Sequence, residues 1–131
     1  MESQSEPAIT LHPIGYVESA YEEPISSDIL RSGESRIVLD PDLTPGLDGL
    51  ESGQAIWVLF HFHRGQGFAL HQHPRGDRGR PKQGVFSLRS PKRPNRIGLT
   101  QVELIRIAGN ILYVRNLDAI DGSPVLDIKP V

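Results

Sequence analysis

Apolar residues in this chain fall in short, evenly separated runs rather than at helical spacing. Residues 9–17, 35–39, 55–63, 84–88, 99–107, 111–117 and 125–128 are rich in Val, Ile, Leu and Tyr, and Gly, Pro, Asn or Asp punctuate them. These runs predict strands. No 3.6-residue periodicity persists over a long stretch, although residues 47–52 leave room for one helical turn. Many short strands must close or stack to hide their edges, so the expected fold class is all-β, a barrel or sandwich.

Two local signals refine this picture. Ala108-Gly109-Asn110 separates two apolar runs and reads as a tight hairpin, since Gly and Asn tolerate positive φ. Within 99–107 the alternation slips: Val102 and Leu104 share one face, Ile105 and Ile107 the other. Either both faces are buried or a bulge re-aims the strand. Between the strands, residues 64–80 form a long loop rich in Gly, Arg and His, of the kind that usually carries function or moves. The organisation expected is a flexible tail over residues 1–8 and a single small domain over 9–131 with long Pro/Gly-rich loops.

Composition narrows the class. The 131 residues are 37% hydrophobic and contain no cysteine, which excludes disulfides and thiolate metal sites. The first seven residues are polar and acidic, so no secretory leader is read there. The longest apolar run, residues 55–60, is too short to cross a bilayer. A cytoplasmic protein without membrane segments is the reading.

Charge matters more in its distribution than in its sum of -2. Residues 61–96 hold nine of the 14 basic residues but one acid, Asp77, while the flanks hold the other 15 acids. A locally basic segment can steer a polyanion even on a slightly acidic chain; as a solvated loop it would need no such role.

Three groups of residues could carry chemistry. His61 and His63 stand two apart on a predicted strand, so both rings should leave the same face, and His71 and His73 repeat the spacing. Paired histidines on a small β-barrel would suit a divalent metal in a cupin-like enzyme. Such sites usually add a carboxylate, however, and the nearby Arg64, Arg75, Arg78 and Arg80 would repel a dication, so no metal is assigned. The second group is Arg89–Gly98, where Pro91 and Pro94 keep Ser90 and Arg93 out of helical angles. The segment should be stiff, with a turn at Asn95 and a close backbone approach at Gly98. Stiffness lowers the entropy lost on gripping a ligand, though Pro-rich connectors are also common. Third, Asp118-Ala119-Ile120-Asp121-Gly122-Ser123-Pro124 is a turn whose two carboxylates could accept hydrogen bonds from ribose hydroxyls or pair with an amino group; Asp and Gly are also ordinary turn residues.

Together these segments resemble the TrmO (YaeB-like) family of S-adenosylmethionine-dependent tRNA methyltransferases. RSPKRPNRIGL (89–99) is similar to the family's RSP-x-RPNPIG-L/M block, and DAIDGSPVLDIKP (118–130) to its D-x-x-DGTPV-x-DIKPY ending. GLDGLESGQAIWVLFHFHR (46–64) resembles the strand closing in FHR or FHQ, and PIGYVESAYEEP (13–24) the family's opening. Arg96 departs from the usual proline, Leu88 from a frequent threonine, residues 25–28 from a P-R-Q-G element, and Val131 from the final aromatic. Some members also carry an extra C-terminal domain thought to help grip tRNA, and none is expected here.

The resemblance implies a small β-barrel that dimerises and binds S-adenosylmethionine without a Rossmann unit, as the absence of G-x-G-x-x-G allows. It implies methylation of N6 of threonylcarbamoyladenosine beside the anticodon of certain tRNAs. The family's cofactor contacts fall on His63, Arg64, Arg89, Leu99, Asp118, Ala119, Ile120 and Asp121. Asp118, Asp121 and His63 are the candidate bases. Arg75, Arg78, Arg80, Lys92 and Arg93 would meet the phosphates of the anticodon loop. A non-catalytic cofactor-binding regulator and a metal-dependent barrel enzyme are the alternatives.

Overall fold

A computed structural model describes residues 7–22, 28 and 33–131. Six strands close into an antiparallel barrel: β1 (Gly15–Glu18), β2 (Glu34–Leu39), β3 (Ala55–His61), β6 (Ile97–Ala108), β7 (Ile111–Arg115) and β8 (Pro124–Pro130). Around the barrel the order is β1-β2-β7-β6-β3-β8, with β8 returning to β1. Closure removes the sheet edges that isolated short strands would leave unpaired. A separate two-stranded ribbon, β4 (His71–Gln72) and β5 (Gln83–Gly84), folds the basic loop back on itself.

Alternation along the strands fills the interior. In β3 every second residue, Ile56, Val58 and Phe60, is buried; in β6 the inward row is Gly98, Thr100, Val102 and Leu104. With Val17, Ile37, Leu39, Leu112, Val114 and Val125 these form one continuous core. Gly98 is required there: a β-carbon on it would lie 2.6 Å from Cζ of Phe60, so the phenyl ring occupies the space a side chain would take. The close backbone approach expected at Gly98 is therefore a strand packing against its neighbour's ring.

The slip in alternation is a bulge. Leu104 pairs with Val114 and Arg106 with Tyr113, leaving Ile105 unpaired between them. A second bulge lies between β3 and β8, where Leu59 pairs with Asp127 but Phe60 with Val125. The hairpin closes through Gly109 and Asn110 with positive φ at Gly109 alone (62°), and the Asn110 amide donates to the Leu39 carbonyl (2.6 Å).

Several predicted elements differ. Only the end of 9–17 is a strand, because Pro13 has no N–H for the ladder; Ile9 and Leu11 remain exposed. The run 84–88 curls instead of extending: after Gly84 the chain makes a 3-10 turn at Val85–Ser87, closed by the Leu88 N–H donating to the Val85 carbonyl (3.1 Å). The helical turn expected at 47–52 sits earlier, at Pro41–Leu47, because Asp40 accepts from the Asp42 N–H (3.0 Å) and Pro41 stands at its first position. Most of the expected tail, and residues 25–27 of the substituted opening, lie outside the described residues. Among the described residues no helix is long and apolar enough to cross a membrane.

Candidate functional site

Antiparallel pairing decides which residues share an end of the barrel. His61 at the close of β3 pairs with Ile97 at the opening of β6, and Phe60 pairs with Val125 near the opening of β8. The close of β1 reaches the same end: Val17 exchanges backbone bonds with Ser123 (2.9 Å) and Gly122 (2.7 Å). The FHR segment, the start of β6 and the D-x-x-D turn, up to 58 residues apart in sequence (His63 to Asp121), therefore converge.

The turn at 118–121 is rigid. Leu117, Ala119 and Ile120 are buried and pin its backbone, while Asp118 and Asp121 stay half-buried. Thr100, inside the mouth of the barrel, donates its hydroxyl to Asp118 Oδ1. Asp121 Oδ1 accepts the Ser19 N–H (2.9 Å), and its own N–H donates to the Tyr21 carbonyl (2.6 Å). Gly122 continues the turn at φ 81°, in the left-handed region that glycine favours. Each carboxylate is thus oriented by a neighbouring donor.

His63 lies over this turn. A β-carbon on Gly122 would sit 3.5 Å from its Nε2. The expectation that His61 and His63 project from one strand face is corrected: β3 ends at His61, and the His63 N–H turns back to the His61 carbonyl (2.9 Å). Burial lowers the His63 pKa below the ordinary histidine value; the Arg64 and His61 charges add to the effect and Asp121 opposes it. Its Nδ1 is buried with no hydrogen-bond partner, a solitary case among the described side chains. The ring is therefore neutral at physiological pH.

Arg89 reaches the same end. Its Nη2 donates to the carbonyl of Leu99, whose side chain stays 43% exposed, so an apolar surface and a cation stand together beside Thr100 and Asp118. Arg96 holds the neighbouring turn at φ 48°, a conformation closed to proline, and its carbonyl accepts the Phe62 N–H (2.9 Å). The chain bends through Asn95, as expected, and Arg96 next to it takes the positive φ.

The cations expected at RNA sort into two groups. Arg78, Arg80 and Lys92 are exposed. Arg75 is exposed too, but pairs with Asp28 (3.2 Å). Arg93 is half-buried and aims Nη1 at the carbonyls of Leu88 (2.9 Å), Ser90 (3.1 Å) and Val85 (3.5 Å); it braces the loop rather than projecting from it.

Sequence reading missed Gln72. Its amide donates to the carbonyls of Ala69 (2.7 Å) and Lys92 (2.6 Å), and its Oε1 accepts the Ser90 hydroxyl (2.6 Å). One side chain thereby ties the long basic loop to the Pro-rich segment. Nothing in the local sequence marks it, since its partners lie up to 20 residues away. His73 acts similarly: its Nδ1 must carry the proton, because it donates to the Arg80 carbonyl (2.8 Å). Among the described residues no three His, Asp or Glu side chains gather as metal ligands.

A shallow groove of about 420 Å³ runs along the outside of the same end, lined by Ile9, Leu11, His61, Ile97, Pro124 and Leu126 among others. The bulge in β8 puts Leu126 into it. The polar cluster and the groove are separate: His63, Arg89, Leu99 and the aspartates do not line it.

These features define a small closed antiparallel barrel with a carboxylate turn, a neutral imidazole and an arginine at one end and, among the described residues, no glycine-rich strand-to-helix unit. The profile of the tRNA-methyltransferase O N-terminal domain matches residues 16–131, and the chain belongs to the TrmO family. A protein of Methanothermobacter thermautotrophicus described as a probable S-adenosyl-L-methionine-binding protein is 43% identical over 129 residues, covering 96% of this chain and 92% of its own. A mouse tRNA (adenine(37)-N6)-methyltransferase is 41% identical over 90% of this chain but only 30% of its own length. The crystal structure of TrmO from Pseudomonas aeruginosa superposes with a TM-score of 0.74 at 31% identity, covering 95% of this chain and 56% of that one. The chain thus spans nearly all of the archaeal relative and about half of the solved TrmO chain.

Proposed function

We propose that this protein binds S-adenosylmethionine at the barrel end formed by His63, Arg64, Arg89, Leu99 and Asp118–Asp121 (Asp118, Ala119, Ile120 and Asp121), and methylates N6 of threonylcarbamoyladenosine beside the anticodon of tRNA. The observation that carries the reading is the convergence of two oriented carboxylates, a neutral imidazole and the Arg89–Leu99 pair on one rigid turn. The residues fit the cofactor's chemistry. Asp118 and Asp121 are carboxylates, the groups that accept from ribose hydroxyls or an ammonium, and they favour a sulfonium cation nearby. Leu99 offers apolar surface to a purine ring.

S-Adenosylmethionine, when bound, supplies a methyl group already activated on a sulfonium sulfur, so catalysis rests mainly on positioning. The rigid turn provides that positioning: Thr100 and Ser19 fix the carboxylates before any ligand arrives. When N6 gains the methyl group it loses its proton, and His63 is the base we assign, accepting it at Nε2. Its lowered pKa keeps the imidazole neutral and ready, whereas each aspartate is already engaged by a donor. Arg78, Arg80 and Lys92 meet phosphates of the anticodon loop, and Arg93 keeps their platform in shape.

We also propose a homodimer, with residues 9–131 as the folding unit. The exposed Ile9, Leu11 and Ile97 beside the groove are apolar surface suited to a second subunit. A tRNA acceptor assigns the protein to the cytoplasm. Incubation of the purified protein with methyl-labelled S-adenosylmethionine and bulk tRNA tests the reading. Label in the RNA supports it; cofactor retention without transfer would replace it with a binding regulator, and dependence on added metal with a metal-dependent enzyme.

A further inference from the structure

Phe86 is 79% exposed, although a phenyl side chain forfeits roughly 1.5–3 kcal/mol by staying in water. It does not sit on a loose loop. Val85, beside it, is 1% exposed, and its N–H donates to the Leu70 carbonyl (2.8 Å). The Ser87 hydroxyl closes on the Gly84 carbonyl (2.7 Å). From beneath, Arg93 gathers the carbonyls of Val85, Leu88 and Ser90 on a single nitrogen. The 3-10 turn is therefore a braced pedestal that holds one aromatic ring out into solvent.

The surroundings specify the partner. Lys82 and Arg89, both exposed, lie within four residues on either side, in a segment with nine cations and one acid. A second copy of the chain docking symmetrically here would set those cations against their own equivalents. A single-stranded nucleic acid brings phosphates for the cations and unstacked bases for the ring, the combination that aromatic platforms in basic grooves exploit. We propose that Phe86 is a stacking platform for an unpaired base of the RNA substrate. The inference rests on the tRNA reading above and adds a contact that none of the cofactor residues supplies.

Binding of bulk tRNA to the full chain and to Phe86→Ala and Phe86→Trp variants tests it, with S-adenosylmethionine affinity measured in parallel. Phe86→Ala should weaken tRNA binding roughly five- to a hundredfold, the range of one lost base stack, with cofactor affinity unchanged. Phe86→Trp should retain binding, and its added indole emission, measured against the Trp57 background of the parent chain, should be quenched by tRNA but not by fully paired duplex RNA. Equal tRNA affinity in the parent and Phe86→Ala proteins, or equal quenching by duplex RNA, overturns the platform while leaving the tRNA reading intact. Dissociation of an oligomer in Phe86→Ala overturns it in favour of a subunit contact. If the parent chain neither binds nor methylates tRNA, the underlying reading fails and the platform with it.

Discussion

Thr100 in β6 donates its hydroxyl to the carboxylate of Asp118, 18 residues further along, and so sets the orientation of the first aspartate in the D-x-x-D turn. Thr100 is 4% exposed and belongs to the inward row of its strand, where Val102 and Leu104 are apolar. A polar side chain at the mouth of an apolar barrel is costly unless paired, and this pairing joins the barrel wall to the candidate site.

Thr100→Val tests that joint with an isostere that keeps the strand. Removing a hydrogen bond to a carboxylate should lower S-adenosylmethionine affinity about tenfold, with a loss of ~1–2 kcal/mol in stability. Calorimetric titration showing parental affinity in the folded variant would separate Asp118 from the cofactor.

Gly98→Ala probes the packing of β6 on Phe60. The added methyl would lie within 3 Å of three ring carbons, so the ring must leave its position. Overpacking of this kind costs ~1–3 kcal/mol, which for a chain of this size lowers Tm by several degrees. A thermal melt coincident with that of the parent protein would show that the ring yields freely.

His63 carries a pH signature. Because its folded pKa is lowered, the unfolded chain takes up a proton at a higher pH than the folded one. Its contribution to stability is thus complete above about 6.5 and declines as pH falls from there through the lower folded value. Urea midpoints should drop less in His63→Gln than in the parent between about pH 7.5 and 5.5, since other groups are common to both. Methyl transfer by the parent should rise with pH over the same window and fall strongly in His63→Gln. Parallel pH profiles for the two proteins would remove His63 from the role of base.

Arg78 and Arg80 should act on RNA through charge alone. Replacing both with alanine should flatten the dependence of log tRNA affinity on log salt by about 1.4–1.8, since each phosphate contact contributes ~0.7–0.9. Cofactor affinity should stay unchanged, because both side chains are exposed and belong to none of the segments assigned to the cofactor. An unaltered slope would reduce them to solvated surface.

How much of this was legible beforehand differs by element. The short apolar runs at β2, β3 and β6, bounded by turn residues, revealed an all-β fold, because barrel strands are short and end where Gly, Pro, Asn or Asp let the chain turn. Gly109-Asn110 announced its hairpin, because it is a local conformational demand; the slip at Ile105 left two buried faces or a bulge open, and the pairing of β6 with β7 decided for the bulge. The residues of the FHR segment, the Pro-rich segment and the D-x-x-D turn could be named from sequence. Tertiary structure alone decided what they do to one another. Barrel closure brings His63 over Gly122, a hydroxyl in β6 orients Asp118, and desolvation at that junction depresses the imidazole. Arg93 looked like one cation among nine until three carbonyls proved to be its partners, and Gln72 carried no signal at all. Pattern along a chain reports what each residue needs from its nearest neighbours; hydrogen bonds and burial set by residues far away in sequence depend on strand order, which the pattern does not encode.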